Sequence, residues 1–195
     1  RDVGGDRWRE PHGAAGAANM IAFLRGQRGF EDVASNAATN RIYRARTHVL
    51  GDIVNSSPVY VNKPAFDYTE NNYPKWSPNR SPTVYAAAND GMVHAFDAAT
   101  GLERWAFAPT VVIPKLYKLA DANYANLHRF YVDGPLTVGD AYFQGKWHSI
   151  LVGGLGKGGR SYYALDITND TPELLWEFSV GDDIDLGYTY GAAQI

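Results

Sequence analysis

The chain has 195 residues, 45% hydrophobic and 13% aromatic, which is enough apolar surface for a packed core of one or two domains. Its 18 basic and 21 acidic residues leave a net charge of -3 with no long run of either sign, which argues against a nucleic-acid partner or a basic membrane patch. The absence of cysteine excludes disulfides, thiolate metal sites and cysteine nucleophiles from these residues, and no stretch approaches the roughly 20 apolar residues of a membrane span.

Residues 1–13 are charged and aperiodic and read as a loop, too polar for a signal peptide. Residues 14–25 combine good helix formers with apolar Met20, Ile21, Phe23 and Leu24, and Gly26 can end the helix they predict. Residues 27–46 have no clear period and read as an ordered connection. Strands are expected at 58–61, 83–88, 92–97 and 103–107, and again at 135–143, 147–153, 162–166 and 174–178. Between the first two, residues 63–82 carry four prolines and several asparagines, a composition that excludes a helix or a central strand and marks a long surface insertion. Residues 110–119 have helix-like content, with Pro114 as a kink or first-turn residue.

The two sets of strands are one pattern written twice. VYAAANDGMVHAFDAATGLERWAF (84–107) and ILVGGLGKGGRSYYALDITNDTPELLWEF (150–178) each contain a strand, a glycine-bearing turn, a strand ending Ala-x-Asp, a polar turn and a strand with Trp-x-Phe. SPVYV at 57–61 leads the first copy, GPLTV at 134–138 the second, and GAAQI at 191–195 looks like the start of a third. A repeated unit that cannot bury its own apolar face implies an array. Four hairpin-linked antiparallel strands per unit make this an all-β chain, a β-propeller of about two and a half blades with a short N-terminal helix; complete propellers have roughly 4 to 8. The expected organisation is an extension at 1–49, then a partial propeller at 50–195 with blades at about 57–108 and 134–179 and a third starting at 188. A chain that opens on Arg1 and stops at Ile195 inside a strand reads as a piece of a longer protein.

Local motifs supply turns and no visible chemistry. Asn89-Asp90-Gly91 is a hairpin signal, and Asp97 and Asp166 are placed to accept backbone N–H groups in the turns that follow them. Gly154 to Gly159 spells G-x-G-x-x-G, but a strand follows where dinucleotide binding needs a helix, so the glycines read as a hairpin turn. Trp105 and Trp176 are expected to pack between neighbouring blades. Asp182, Asp183 and Asp185 form the one acidic cluster, yet the oxygen-ligand spacing of a calcium loop is missing, and a solvated turn competes with a weak metal site. The five histidines have no ligand spacing, no nucleophile elbow exists, and no catalytic residues or cofactor site can be assigned. Tyr68, Tyr73 and Trp76, aromatic residues in a polar insertion, are the candidate contact surface.

The blade at 84–107 is similar to the repeat of quinoprotein dehydrogenases. More specific are LGDIVNSSPVYV (50–61), ANDGMVHAFD (88–97), YVDGP (131–135), VGDAYF (138–143), LVGGLG (151–156), YALD (163–166), LWEF (175–178) and DLGYT (185–189). Together they resemble the C-terminal propeller of the PilC/PilY-type proteins of bacterial type IV pili, over about residues 24–195. The resemblance implies a non-enzymatic pilus biogenesis factor and tip adhesin of Gram-negative bacteria, extracellular at the pilus tip or associated with the outer membrane. It would support twitching motility, attachment and virulence. Its implied partners are pilins, minor pilins, and host or abiotic surfaces. It also implies a calcium-regulated propeller, through an Asp-x-Asp-x-Asp loop that no position here matches, so calcium belongs to the whole protein and no cofactor to these residues. The competing readings are a quinone-dependent dehydrogenase, disfavoured by the lack of cysteine, and a propeller scaffold of outer-membrane protein assembly.

Overall fold

The computed structural model describes residues 14–64 and 66–195; the loop expected at 1–13 lies outside them. These residues divide into two compact units, one of 14–49 with 116–128 and one of 50–115 with 129–195.

The first unit contains the helix α1 (Ala14–Leu24). Of its four long apolar side chains, Phe23 is buried while Ile21, on nearly the opposite face, is 55% exposed. Gly26 ends the helix at φ +92°. The connection after it is ordered by a buried pair: Arg46 Nε donates to Glu31 Oε1 at 2.7 Å and the Arg46 N–H to Glu31 Oε2 at 3.1 Å. The same guanidinium donates to the carbonyls of Phe23 and Gln27 and lies 3.7 Å over the Phe23 ring. Every polar atom of Glu31 and Arg46 thus finds a partner, which is the condition for tolerating buried charge. Residues 116–128, which the sequence places between the blades, join this unit because the Arg44 backbone donates to the Ala120 carbonyl while its guanidinium covers the Tyr124 ring.

The second unit holds two four-stranded antiparallel sheets. The first consists of β1 (Val59–Val61), β2 (Thr83–Ala88), β3 (Met92–Asp97) and β4 (Glu103–Phe107), in that order. The second consists of β5 (Leu136–Phe143), β6 (Lys146–Gly154), β7 (Ser161–Asp166) and β8 (Glu173–Ser179). These are the two blades read from the repeat, with strand ends within a residue or two of those expected. The repeat extends to a defect: the register slips between Ala95 and Phe96 in one sheet and between Ala164 and Leu165 in the other, in both cases inside the Ala-x-Asp step. The Asp that follows then caps its turn. Asp97 Oδ1 accepts from the N–H groups of Ala99 and Thr100, and Asp166 Oδ1 from the N–H and hydroxyl of Thr168.

The insertion contains short 3-10 turns at Glu70–Lys75, with Asn71 and Asn72 at positive φ, which is how it accommodates Pro74 without an α-helix. A further 3-10 segment, Ile113–Ala120, has Pro114 in its first turn. The two tryptophans of the repeat differ in exposure. Trp105 is half-buried against Tyr85 of its own sheet, whereas Trp176 is 46% exposed, with Leu174 and Phe178 on the same face of β8. Phe107, on the Trp105 face of β4, makes a blade-to-blade contact, its ring 5.6 Å from that of Tyr163.

Candidate functional site

Four of the distinctive segments meet at one junction. Asn89, at the β2–β3 turn, uses its whole polar inventory there: its N–H donates to the Asp52 carbonyl at 2.9 Å, its Nδ2 to Asp52 Oδ2 at 2.9 Å, and its Oδ1 accepts the Tyr131 N–H at 3.0 Å. Next to it, Asp133 accepts from the Asn55 backbone at 3.2 Å and from Asn55 Nδ2 at 2.5 Å, while Asp90 accepts the Gly51 N–H at 2.8 Å. Asn89 and Asp133 are each 1% exposed, so these bonds form out of water, where a missing partner costs about 1–3 kcal/mol.

The glycine turn at 154–159 closes the junction from the second blade. It joins β6 to β7 as a hairpin, with the Asp133 N–H donating to the Leu155 carbonyl at 3.2 Å. A Cβ on Gly158 would lie 1.7 Å from the Tyr131 carbonyl oxygen, so glycine is required there by backbone contact and not by a phosphate.

A second buried network runs through the second blade. The Tyr73 hydroxyl donates to Asp140 Oδ2 at 2.6 Å and the Ser149 hydroxyl to Asp140 Oδ1 at 2.7 Å. The Ser149 N–H donates to Thr168 Oγ1, whose hydroxyl donates to Asp166, and Asp166 Oδ2 lies 2.5 Å from His148 Nδ1. Burial and the bond to Asp140 push the Tyr73 hydroxyl well above the ordinary tyrosine range. This set contains Ser, His and Asp, but Ser149 gives its hydroxyl to Asp140, while His148 Nε2 is buried with no bond to it. A nucleophile needs its base on its own oxygen, and this arrangement lacks that contact.

The residues singled out from sequence sort differently. Tyr73 is 3% exposed and is corrected from a contact residue to an interior one. Tyr68 and Trp76 are half-buried around Trp147: Tyr68 stacks on that indole at 5.4 Å, Tyr73 meets it edge-on at 4.6 Å, and Trp147 Nε1 donates to the Asn71 carbonyl. Asp182 Oδ2 accepts the Ser179 N–H and hydroxyl, and Asp183 Oδ1 accepts the Asp185 N–H, so these oxygens close a turn. Among the described residues, no group of three or more His, Asp or Glu side chains is arranged to hold a metal ion.

Comparison with known proteins decides the family. The profile of the PilY1 beta-propeller domain matches residues 50–195. This chain belongs to the PilY1 β-propeller family. It is 41% identical over 192 residues to the type IV pilus biogenesis factor PilY1 of Pseudomonas aeruginosa strain UCBPP-PA14, covering 91% of this chain and 16% of that protein. It is 42% identical over 194 residues to a PilY1 homolog of Xylella fastidiosa, covering 93% of this chain and 15% of that one. The crystal structure of the P. aeruginosa PilY1 C-terminal domain matches at a TM-score of 0.54 and 37% identity, over 68% of this chain and 27% of that one. The chain therefore spans about a sixth of the length of its curated PilY1 relatives. No helix among the described residues is long and apolar enough to cross a membrane.

The sequence segments that resemble the family do not themselves reveal that they touch. Asp52, Asn55, Asn89 and Asp133 are spread over 82 residues of chain, and no local period links them. Their signal was compositional: short polar clusters of Asn, Asp and Gly between apolar strands, each with more hydrogen-bonding capacity than a turn needs.

Proposed function

We propose that this chain is a structural, non-enzymatic part of the propeller of a type IV pilus biogenesis factor. In the whole protein it would support pilus assembly, and with it twitching motility and surface attachment, at the pilus tip or outer membrane, with pilins and minor pilins as partners. Calcium regulation of the whole protein is part of this proposal, and no residue of this chain is assigned to it.

One observation carries this reading. Polar residues of the segments that carry the resemblance, Asn55, Asn89, Asp90 and Asp133, are bonded to one another or to backbone, joining the leader at 50–57, the first blade and the entry to the second. Side chains held in that way build a scaffold and are not free to work on a substrate. The names of the relatives, all type IV pilus biogenesis factors, supply the process.

The test is Asp133→Ala in the full-length protein, expressed in its own host. It leaves the Asn55 amide and N–H without their acceptor. The expected result is a protease-sensitive propeller together with lost surface pili and lost twitching. Normal piliation by a protein whose propeller has become protease-sensitive would refute the scaffold reading, and quinone-dependent dye reduction by the purified wild type would refute the non-enzymatic one.

A further inference from the structure

His94 lies on β3 with both ring nitrogens on carboxylates. Nδ1 is 2.6 Å from Glu103 Oε1 of β4, and Nε2 is 3.0 Å from each oxygen of Asp90 in the β2–β3 turn. Ionised carboxylates only accept hydrogen bonds, so the ring satisfies both only when both nitrogens carry protons. The ring is enclosed while Glu103 reaches solvent: the His94 side chain is 8% exposed and that of Glu103 48%, Phe96 of the same strand stacks on the ring at 5.8 Å, and Ala86 of β2 and Ala106 of β4 lie opposite His94. The charged groups on the ring are thus Asp90 from the turn and Glu103 from the neighbouring strand.

Asp90 links this ring to the leader. While facing His94, it also accepts the Gly51 N–H at 2.8 Å and the Met92 N–H at 3.1 Å. The space is tight, since a Cβ on Gly51 would lie 2.2 Å from the Asp90 nitrogen. A rotation of Asp90 therefore disturbs the position of the 50–55 segment.

We propose that His94 is a proton-dependent latch. As imidazolium it holds Asp90 and Glu103 at once and, through Asp90, fixes the leader against the β2–β3 turn; when the ring loses its second proton as pH rises, one of those bonds goes and the anchor loosens. Burial by itself would pull the ring below its ordinary value of 6.5, but hydrogen bonding and charge from Asp90, then from Glu103, outweigh it and hold it above. A raised histidine contributes stability that is complete below its unfolded value and is lost as pH rises through its folded value. Between the two, the folding constant falls by up to about tenfold per pH unit.

The test follows the His94 ring by NMR from pH 5 to 9 in the 195-residue chain, together with amide exchange at Gly51 corrected for intrinsic pH dependence. The expected result is a ring titrating above 6.5, with Gly51 protection falling in the same range, and a lower ring midpoint in Glu103→Gln. A ring that titrates at or below its ordinary value overturns the proposal. So does Gly51 protection that stays constant while the ring titrates. The wild-type readouts do not depend on a variant; if His94→Gln folds, its stability should lack the decline above pH 6.5.

Discussion

Tyr163 carries a hydroxyl that is buried with no bond, in the middle of the second sheet. The space it occupies is the one a side chain at position 153 would need: a Cβ there would lie 2.1 Å from the Tyr163 oxygen. Packing and polarity therefore pull in opposite directions at this residue. The ring fills the core and meets Phe107 across the blades, while the hydroxyl gave up its water for nothing. Tyr163→Phe is expected to leave stability unchanged or raise it by up to about 1 kcal/mol, since removing an unpaired buried hydroxyl removes a desolvation cost. Gly153→Ala is expected to lower it by more than about 2 kcal/mol, because the new methyl overlaps a ring that has no free direction to move. Urea unfolding of the two variants against wild type decides the matter, and a Tyr163→Phe loss above about 1 kcal/mol would mean that the hydroxyl has a partner after all.

At the scale of elements, the insertion between β1 and β2 is held to the second blade by Trp147. That indole receives Tyr68 and Tyr73, donates to Asn71, and sits beside the Tyr73–Asp140 bond. Tyr73→Phe strands one oxygen of Asp140 and is expected to cost about 1–3 kcal/mol, whereas Trp147→Ala removes the ring the insertion folds around and costs about 3–5 kcal/mol. The two should also differ in limited proteolysis: Trp147→Ala opens tryptic cleavage after Lys75 or Arg80, and Tyr73→Phe does not. Equal protection of both variants would show that the insertion holds itself. This element also marks the limit of what the sequence made legible. Strands β1 to β8 could be read because short apolar runs bounded by Asn, Asp and Gly and written twice are local signals, and the Ala-x-Asp turn followed from the reach of a short carboxylate. The insertion's prolines predicted an irregular path but not its destination, since Tyr73 and Asp140 are paired across 67 residues. Glu31 and Arg46 escaped notice for the same reason: two charges 15 residues apart outside any period look like solvated surface until the fold buries both.

In the two-bladed unit as a whole, the carboxylate bonds across the seam run one way, although Trp147 and the Tyr131 N–H donate in the other sense, to Asn71 and Asn89. The second blade and its entry supply carboxylates, namely Asp133, Asp140, Asp170 and Glu177. The first blade with its leader and insertion supplies donors: Asn55 to Asp133, Tyr73 to Asp140, Ser81 and Arg104 to Asp170, and Thr110 to Glu177. Arg104 also holds Asp97 of its own sheet, so one guanidinium ties a turn of the first blade to a turn of the second. The Arg104 bond, followed by bonds from Thr100, holds the Asp97 carboxyl far below the usual range. Asp166 is lowered as well: burial alone would raise it, but bonds from Thr168 and His148 outweigh burial. A depressed carboxylate contributes stability that is complete above its unfolded value, here 3.8, and is lost as pH falls through its folded value. His94 works in the opposite sense, its contribution fading as pH rises from 6.5. The thermal midpoint of the chain should therefore form a dome, level between about pH 4 and 6.5 and falling on both sides. Asp97→Asn should flatten the acid limb and leave the alkaline limb in place, whereas His94→Gln should do the reverse. The limbs separate because the acid one loosens the Arg104 tie between blades and the alkaline one loosens the leader. A midpoint that climbs steadily from pH 4 to 9 would show that the imidazolium latch does not govern how the leader is held.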